Sequence, residues 1–273
     1  FFFGDKMAAP VEPTTTTSAG SSETTAPALP AKPQANTPSG VQEALLDVKT
    51  RIAAAVTKAA APREPRLVAV SKLHTAALVK AAYDAGHRCF GENYVQELVD
   101  KSQDLPEDIQ WHFIGHLQSN KAKVLVEGCR GLAAVETVDS EKLANKLNAA
   151  VLSLKREPLR VYVQVNTSGE DSKSGLEPGQ EAALADYIVK NCEGLRFGGL
   201  MTIGMPDYTS KPENFICLQE CRRRTAEALG MPEEEIELSM GMSGDFEAAI
   251  AMGSNNVRVG STIFGARPKK AGA

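Results

Sequence analysis

The 273-residue chain has no run of about 18 consecutive apolar residues, which excludes a transmembrane helix of ordinary length. It also lacks a strong charge of either sign. The formal net charge is −4, and the one concentrated basic run, Arg222-Arg223-Arg224, falls within a helical pattern as a solvated face. A nucleic-acid-binding surface is therefore not expected. Cysteines are few and scattered: Cys89, Cys129, Cys192, Cys217 and Cys221 are odd in number, which argues against a disulfide framework and for a reducing compartment. Cys217 and Cys221 stand four apart, but no second pair or nearby histidine pair completes a zinc site. No arginine precedes Arg51, whereas Glu12 and Glu23 do, so the leading segment does not read as a transit peptide and a cytoplasmic protein is expected. Met7-Ala8-Ala9-Pro10 reads as an ordinary protein start, with Phe1 to Lys6 ahead of it.

Residues 1–39 are mostly Ala, Pro, Thr, Ser and Glu, without periodicity, and are expected to form a disordered tail. From residue 40 to 273 the pattern is that of one folded domain. Val41, Leu45, Val48, Ile52 and Val56 share a helical face. Eight short apolar runs follow, at Leu67–Val70, Arg88–Phe90, Trp111–Ile114, Leu132–Val135, Val161–Val165, Phe197–Met201, Ile236–Met240 and Val257–Val259, with helix-like stretches between them. Strands alternating with helices imply parallel pairing, and eight regular units imply a single closed (β/α)8 TIM barrel. An open doubly wound sheet is the alternative, but the G-x-G-x-x-G fingerprint of a dinucleotide fold is missing after the first run.

In such a barrel the chemistry sits at the C-terminal strand ends. The first strand, read as Arg66-Leu-Val-Ala-Val-Ser-Lys72, ends in lysine. A partly buried lysine loses proton affinity, and its neutral amine attacks aldehydes; the alternative is a lysine leaving the rim for solvent. Asn93 follows the second run as a helix N-cap or as a ligand-binding amide. Ser243 stands where an N-cap belongs after the seventh run. Gly260 and Ser261 follow the eighth run, offering close backbone approach, a hydroxyl and an N–H. The loops after strands 7 and 8 are the recurrent phosphate site of this architecture. Arg258, flanked by Val257 and Val259, points into the barrel by alternation and needs a partner there, either a carboxylate such as Glu136 or a ligand atom. Placed against a pyridine nitrogen, arginine keeps its proton and restrains carbanion chemistry. His112 and His116 span a strand end and turn, so they share no helix face and a zinc reading is rejected. With Gln118, Asn120 and Lys121 they line the mouth or cap the next helix.

Six segments in order carry a specific resemblance: Val70-Ser-Lys72, Phe90-Gly-Glu-Asn-Tyr-Val-Gln-Glu97, Trp111-His-Phe-Ile-Gly-His-Leu-Gln-Ser-Asn-Lys121, Gly199-Leu-Met-Thr202, Leu238-Ser-Met-Gly-Met-Ser-Gly-Asp245 and Val257-Arg-Val-Gly-Ser-Thr-Ile-Phe-Gly265. Over about residues 41–268 the chain resembles the pyridoxal phosphate homeostasis protein family. The resemblance implies a fold-type III barrel like the N-terminal domain of alanine racemase, binding pyridoxal 5′-phosphate (PLP) as a Schiff base on Lys72. It implies that Arg258 faces the pyridine nitrogen, that Ser243, Gly260 and Ser261 hold the phosphate, and that Asn93 and Met201 contact the cofactor. It further implies storage, delivery or buffering of PLP without substrate turnover, by a monomer, with apo-forms of PLP-dependent enzymes as possible recipients. The alternative is a racemase-like enzyme. A racemase of this fold type needs a C-terminal β domain, and with the chain ending soon after Pro268 that domain is expected to be absent.

Overall fold

The computed structural model describes residues 36–170, 173–204 and 212–267. The first helix, α1 (Pro38–Ala59), starts earlier than the apolar spacing indicates. Thr37 caps it by accepting from the Gly40 N–H at 3.1 Å, and Pro38 occupies the opening turn, where its missing N–H costs nothing. The composition break at residue 39 therefore falls inside a helix, and the tail through residue 35 lies outside the described residues.

The strands are β1 (Arg66–Val70), β2 (Cys89–Glu92), β3 (Gln110–Phe113), β4 (Leu132–Val138), β5 (Leu159–Gln164), β6 (Leu195–Met201), β7 (Glu237–Met242) and β8 (Asn256–Val259). Between them run α2 (Ala76–Asp84), α3 (Val95–Asp104), α4 (Ala122–Gly128), α5 (Glu141–Ser153), α6 (Glu181–Asn191), α7 (Pro212–Leu229) and α8 (Phe246–Ala251), and a last turn, α9 (Ser261–Phe264), follows β8. Every neighbouring pair is parallel and the sheet closes, with Arg66 opposite Asn256 and Ala69 opposite Val259. Each apolar run of the sequence became a strand because each alternates two environments. Phe90, Val161, Val163, Val257 and Val259 join Leu45, Leu98, Leu147, Ile188 and Leu218 of the helices in one large apolar layer outside the sheet. The intervening residues fill the barrel itself, and many of them are polar.

At the N-terminal end of the barrel, Glu237 ties three strands together. It receives Arg66 Nη1 at 2.9 Å, Arg160 Nη2 at 3.1 Å and the Tyr162 hydroxyl at 2.6 Å. This ionic plug closes the bottom and leaves the C-terminal strand ends as the open face.

Candidate functional site

The strand ends enclose a cavity of about 320 Å³, lined among others by Lys72, Asn93, Ser243, Arg258, Gly260 and Ser261. Six of the seven residues singled out in the sequence thus face one space. Met201 does not line it. Its side chain is fully buried within the barrel against Ala134 and Tyr162, so alternation along β6 turns it into the interior packing below the cavity.

Lys72 lies just beyond β1, half-buried, and among the described residues forms no hydrogen bond or ion pair. Burial, then the charges of Arg267 and Arg258, push its ammonium below the usual lysine range; Glu92 and Glu97 oppose this less strongly. The amine is thereby primed to lose its proton.

Asn93 is not a cap. The N-cap position of α3 falls to Tyr94, and the Asn93 Oδ1 is buried with no hydrogen-bond partner. A buried acceptor left unsatisfied is costly, and a bound ligand donor or water is what would relieve it. The loop after β3 holds Asn93 in place: a Cβ at Gly115 would stand 2.0 Å from the Asn93 carbonyl oxygen, so only glycine allows that approach.

Ser243 is not a cap either. Asp245 occupies that position for α8 and turns its Oδ1 back onto the Met242 N–H at 2.6 Å. The Ser243 hydroxyl instead accepts from the Gly260 N–H at 3.1 Å, which links the loop after β7 to the loop after β8. Among the described residues the N–H groups of Ser243, Gly244 and Ser261 donate to nothing within the chain, and all three residues line the cavity. They form a cradle for an anion.

Arg258 points into the barrel as alternation requires and is 4% exposed. Of the two partners open to it, a carboxylate or a ligand atom, the chain supplies no direct carboxylate; a hydroxyl and a carbonyl meet it instead. Nη1 donates to the Ser239 hydroxyl at 2.5 Å and Nη2 to the Thr202 carbonyl at 2.6 Å. Glu136 is reached only through Ser239, whose hydroxyl donates to Oε2 at 2.5 Å; Asn256 Nδ2 and His112 Nδ1 meet Oε1 at 2.8 and 2.5 Å. His112 therefore neither lines the mouth nor caps a helix, and His116 stays exposed 3.7 Å from Asp139. Burial disfavours the His112 imidazolium, but Cys89 and Glu136 outweigh it and raise its pKa to about 10. Burial likewise disfavours the Glu136 carboxylate, yet His112, Arg258 and Ser239 together lower its pKa to about 2. An anion is thus held between two cations beneath the cavity floor.

Sequence reading named Glu136 beside Arg258 but not the Ser239, His112 and Asn256 links, and it missed Lys173, His74 and Arg267, which join the cavity wall. Lys173 Nζ donates to the Gly204 carbonyl at 2.5 Å. Its place after β5 follows the strand-end rule used for Lys72, but nothing in its immediate sequence separates it from a loop lysine. Among the described residues no group of side chains is arranged to hold a metal ion, and no helix is long and apolar enough to cross a membrane.

The cavity therefore combines a free amine, a guanidinium on its floor, an unpaired amide oxygen and an anion cradle. Comparison with known proteins agrees with that chemistry. Residues 47–268 match the family described as alanine racemase, N-terminal domain. The pyridoxal phosphate homeostasis protein of Mus musculus is 49% identical over 243 residues, covering 84% of this chain and 87% of that protein. The structure of PipY from Synechococcus elongatus with PLP bound aligns with a TM-score of 0.67 at 33% identity, over 82% of this chain and 100% of that one. Alanine racemase from E. faecalis shares the fold alone, with a TM-score of 0.59 at 19% identity over 84% of this chain and 59% of that one. On these grounds the chain belongs to the pyridoxal phosphate homeostasis protein family, within the wider family of the alanine racemase N-terminal domain.

Proposed function

We propose that the chain binds PLP in the Lys72 cavity as a Schiff base and holds, buffers or delivers it as part of PLP homeostasis, rather than turning over a substrate. The observation that carries this reading is that Lys72, Arg258 and the loops after β7 and β8 face one cavity. The residues fit the cofactor's functional groups. The cradle of Ser243, Gly244 and Ser261 suits a phosphate, Asn93 offers an acceptor that lacks a donor, and Arg258 offers a guanidinium to a ring nitrogen. PLP supplies an electrophilic aldehyde and an electron-withdrawing ring. Lys72 would supply the neutral amine that such an aldehyde takes up, with water as the by-product.

Holding rather than turnover is supported by Arg258. Burial lowers its proton affinity, but Glu136 and Asp245 oppose this, and a guanidinium starts from a pKa far above neutrality. It donates to a pyridine nitrogen and leaves that ring neutral, a weaker electron sink than a pyridinium. The homeostasis relatives match along most of their length, whereas the racemase likeness is one of fold. Five unpaired cysteines support the expected cytoplasmic setting. Action as a monomer and delivery to apo-enzymes belong to the same proposal.

The test is borohydride reduction of the PLP-loaded protein followed by peptide mapping. The reading expects the label on Lys72 and loss of the visible band in Lys72→Ala. A band that survives that substitution, or a label confined to another lysine, would falsify it.

A further inference from the structure

Behind Lys72, outside the cavity lining, lies a second charged cluster that the proposed binding chemistry leaves unused. Lys101 of α3 is 6% exposed, and its ammonium donates to three acceptors: the Ser71 carbonyl at 2.8 Å, Glu92 Oε1 at 2.6 Å and Glu97 Oε1 at 2.7 Å. An ammonium has three donors, so this one is fully used. The Ser71 hydroxyl adds a bond to Glu92 Oε1 at 2.7 Å. On the other side of Lys72, the Leu73 N–H donates to Glu97 Oε1 at 2.6 Å.

These bonds grip a strained turn. The His74 N–H closes on the Ser71 carbonyl at 3.0 Å, making residues 71–74 a β-turn whose third residue, Leu73, has φ 65°. Glycine favours that left-handed position and a leucine does not, because its Cβ crowds the backbone. Something must hold Leu73 there, and the N–H bond to Glu97 does so directly. Lys72 is the second residue of the same turn, so both of its flanking peptide groups are tied to the cluster, through the Ser71 carbonyl and the Leu73 N–H.

We infer that Glu97, Lys101 and Glu92 form a positioning clamp that holds the 71–74 turn and thereby aims the Lys72 amine into the cavity. The three are positioning residues: none lines the cavity or faces the ligand. The two glutamates also act on Lys72 by charge, opposing the loss of proton affinity caused by burial. The inference rests on Lys72 being the residue that condenses with PLP.

The test compares wild type, Glu97→Ala, Glu97→Gln and the double variant Leu73→Gly/Glu97→Ala. Two readouts are taken: hydrogen exchange of the 71–74 amides before PLP is added, and the rate at which PLP becomes reducibly attached to Lys72. A clamp serving only to join α3 to β1 would lower the melting temperature and leave the attachment rate of the folded protein unchanged. Positioning instead predicts faster exchange at Leu73 and attachment slowed about tenfold in Glu97→Ala, within the roughly hundredfold that a misplaced reacting group can lose. Leu73→Gly, which accepts the left-handed backbone without help, should then restore attachment to within about threefold of wild type. If Glu97→Ala does not fold, Glu97→Gln decides, with an attachment rate about threefold below wild type expected. A wild-type rate in whichever glutamate variant folds overturns the clamp, and so does a deficit that Leu73→Gly leaves untouched. An unlabelled Lys72 in the wild type itself overturns the proposed function, and the clamp with it, so the two failures are told apart.

Discussion

Arg258 and Glu136 form no ion pair, yet one hydroxyl joins them: Ser239 accepts from Arg258 Nη1 and donates to Glu136 Oε2, each at 2.5 Å. The single proton of that hydroxyl settles both bonds, since arginine only donates and a carboxylate only accepts. The cavity's guanidinium is therefore oriented by a carboxylate on the opposite side of the barrel, which His112 and Asn256 fix in turn. Ser239→Ala should leave Arg258 one acceptor short and Glu136 one donor short. A loss of about 1–3 kcal/mol in urea unfolding is expected, accompanied by weaker PLP binding.

The His112–Glu136 pair predicts a pH profile of stability. His112 is raised from 6.5 to about 10 in the fold, so its contribution is complete below pH 6.5 and is lost as pH rises through about 10. Glu136 is lowered from 4.5 to about 2, so its contribution is complete above pH 4.5 and is lost as pH falls through about 2. The pair should stabilise most between pH 4.5 and 6.5. His112→Gln removes the titrating ring. Difference curves of unfolding free energy should show the wild-type advantage shrinking between pH 6.5 and 10; an advantage that stays level across that range would refute the assignment.

Asn93 predicts effects of opposite sign with and without ligand. Its Oδ1 is a buried acceptor with no partner, so Asn93→Ala removes an unmet group. Stability of the PLP-free protein should stay level or rise by up to about 1 kcal/mol, while PLP binds about tenfold more weakly. Thermal melts with and without PLP read both. Equal losses in the two states would show that Asn93 serves the fold and not the ligand.

The closed barrel could be read from the chain because the strands announce themselves through β-branched and aromatic runs such as Val161–Val165, and because the order of elements leaves few ways to pair them. The strand-end rule then placed Lys72, Asn93, Ser243, Gly260 and Ser261 at one mouth, and alternation along the eighth run turned Arg258 into the barrel. What it did not reveal depends on contacts across the barrel. Glu136 and Asn256 are 120 residues apart, and neither carries a local mark of its partner. At Ser243 the hydroxyl is taken by the Gly260 N–H, which leaves the cap position of α8 to Asp245, two residues on; of the two readings open for Asn93, the cap falls to Tyr94, one residue on, and Asn93 lines the cavity instead. Met201 entered through its motif alone, and packing against Tyr162 turned it away from the cavity.

Gly115 offers a test of how Asn93 is placed. An added Cβ would stand 2.0 Å from the Asn93 carbonyl oxygen, an atom of rigid backbone. Gly115→Ala must therefore push the Asn93 turn aside, at about 1–3 kcal/mol of stability. Because the displaced residue lines the cavity, PLP affinity should fall together with stability. An alanine variant with lowered melting temperature but unchanged affinity would show that the loop after β3 does not set the position of Asn93.

Arg258 makes the last prediction, which concerns chemistry that the site should fail to perform. Abstraction of the α-proton from an amino acid joined to PLP leaves a carbanion, and its stability depends on how strongly the ring draws electrons. On the proposed placement, a guanidinium fixed by Ser239 and the Thr202 carbonyl would offer the ring nitrogen a donor that does not surrender its proton, and would leave that nitrogen unprotonated. The PLP-loaded protein incubated with L-alanine in deuterated water should show negligible α-deuteration by NMR and no D-alanine by chiral chromatography. Rapid deuteration without racemisation would mean that Lys72 acts as a base despite the arginine, and racemisation itself would favour the enzyme reading. Substituting Arg258 with Gln removes the fixed charge and should loosen PLP by about tenfold or more, as loss of a charged hydrogen bond does, without creating turnover.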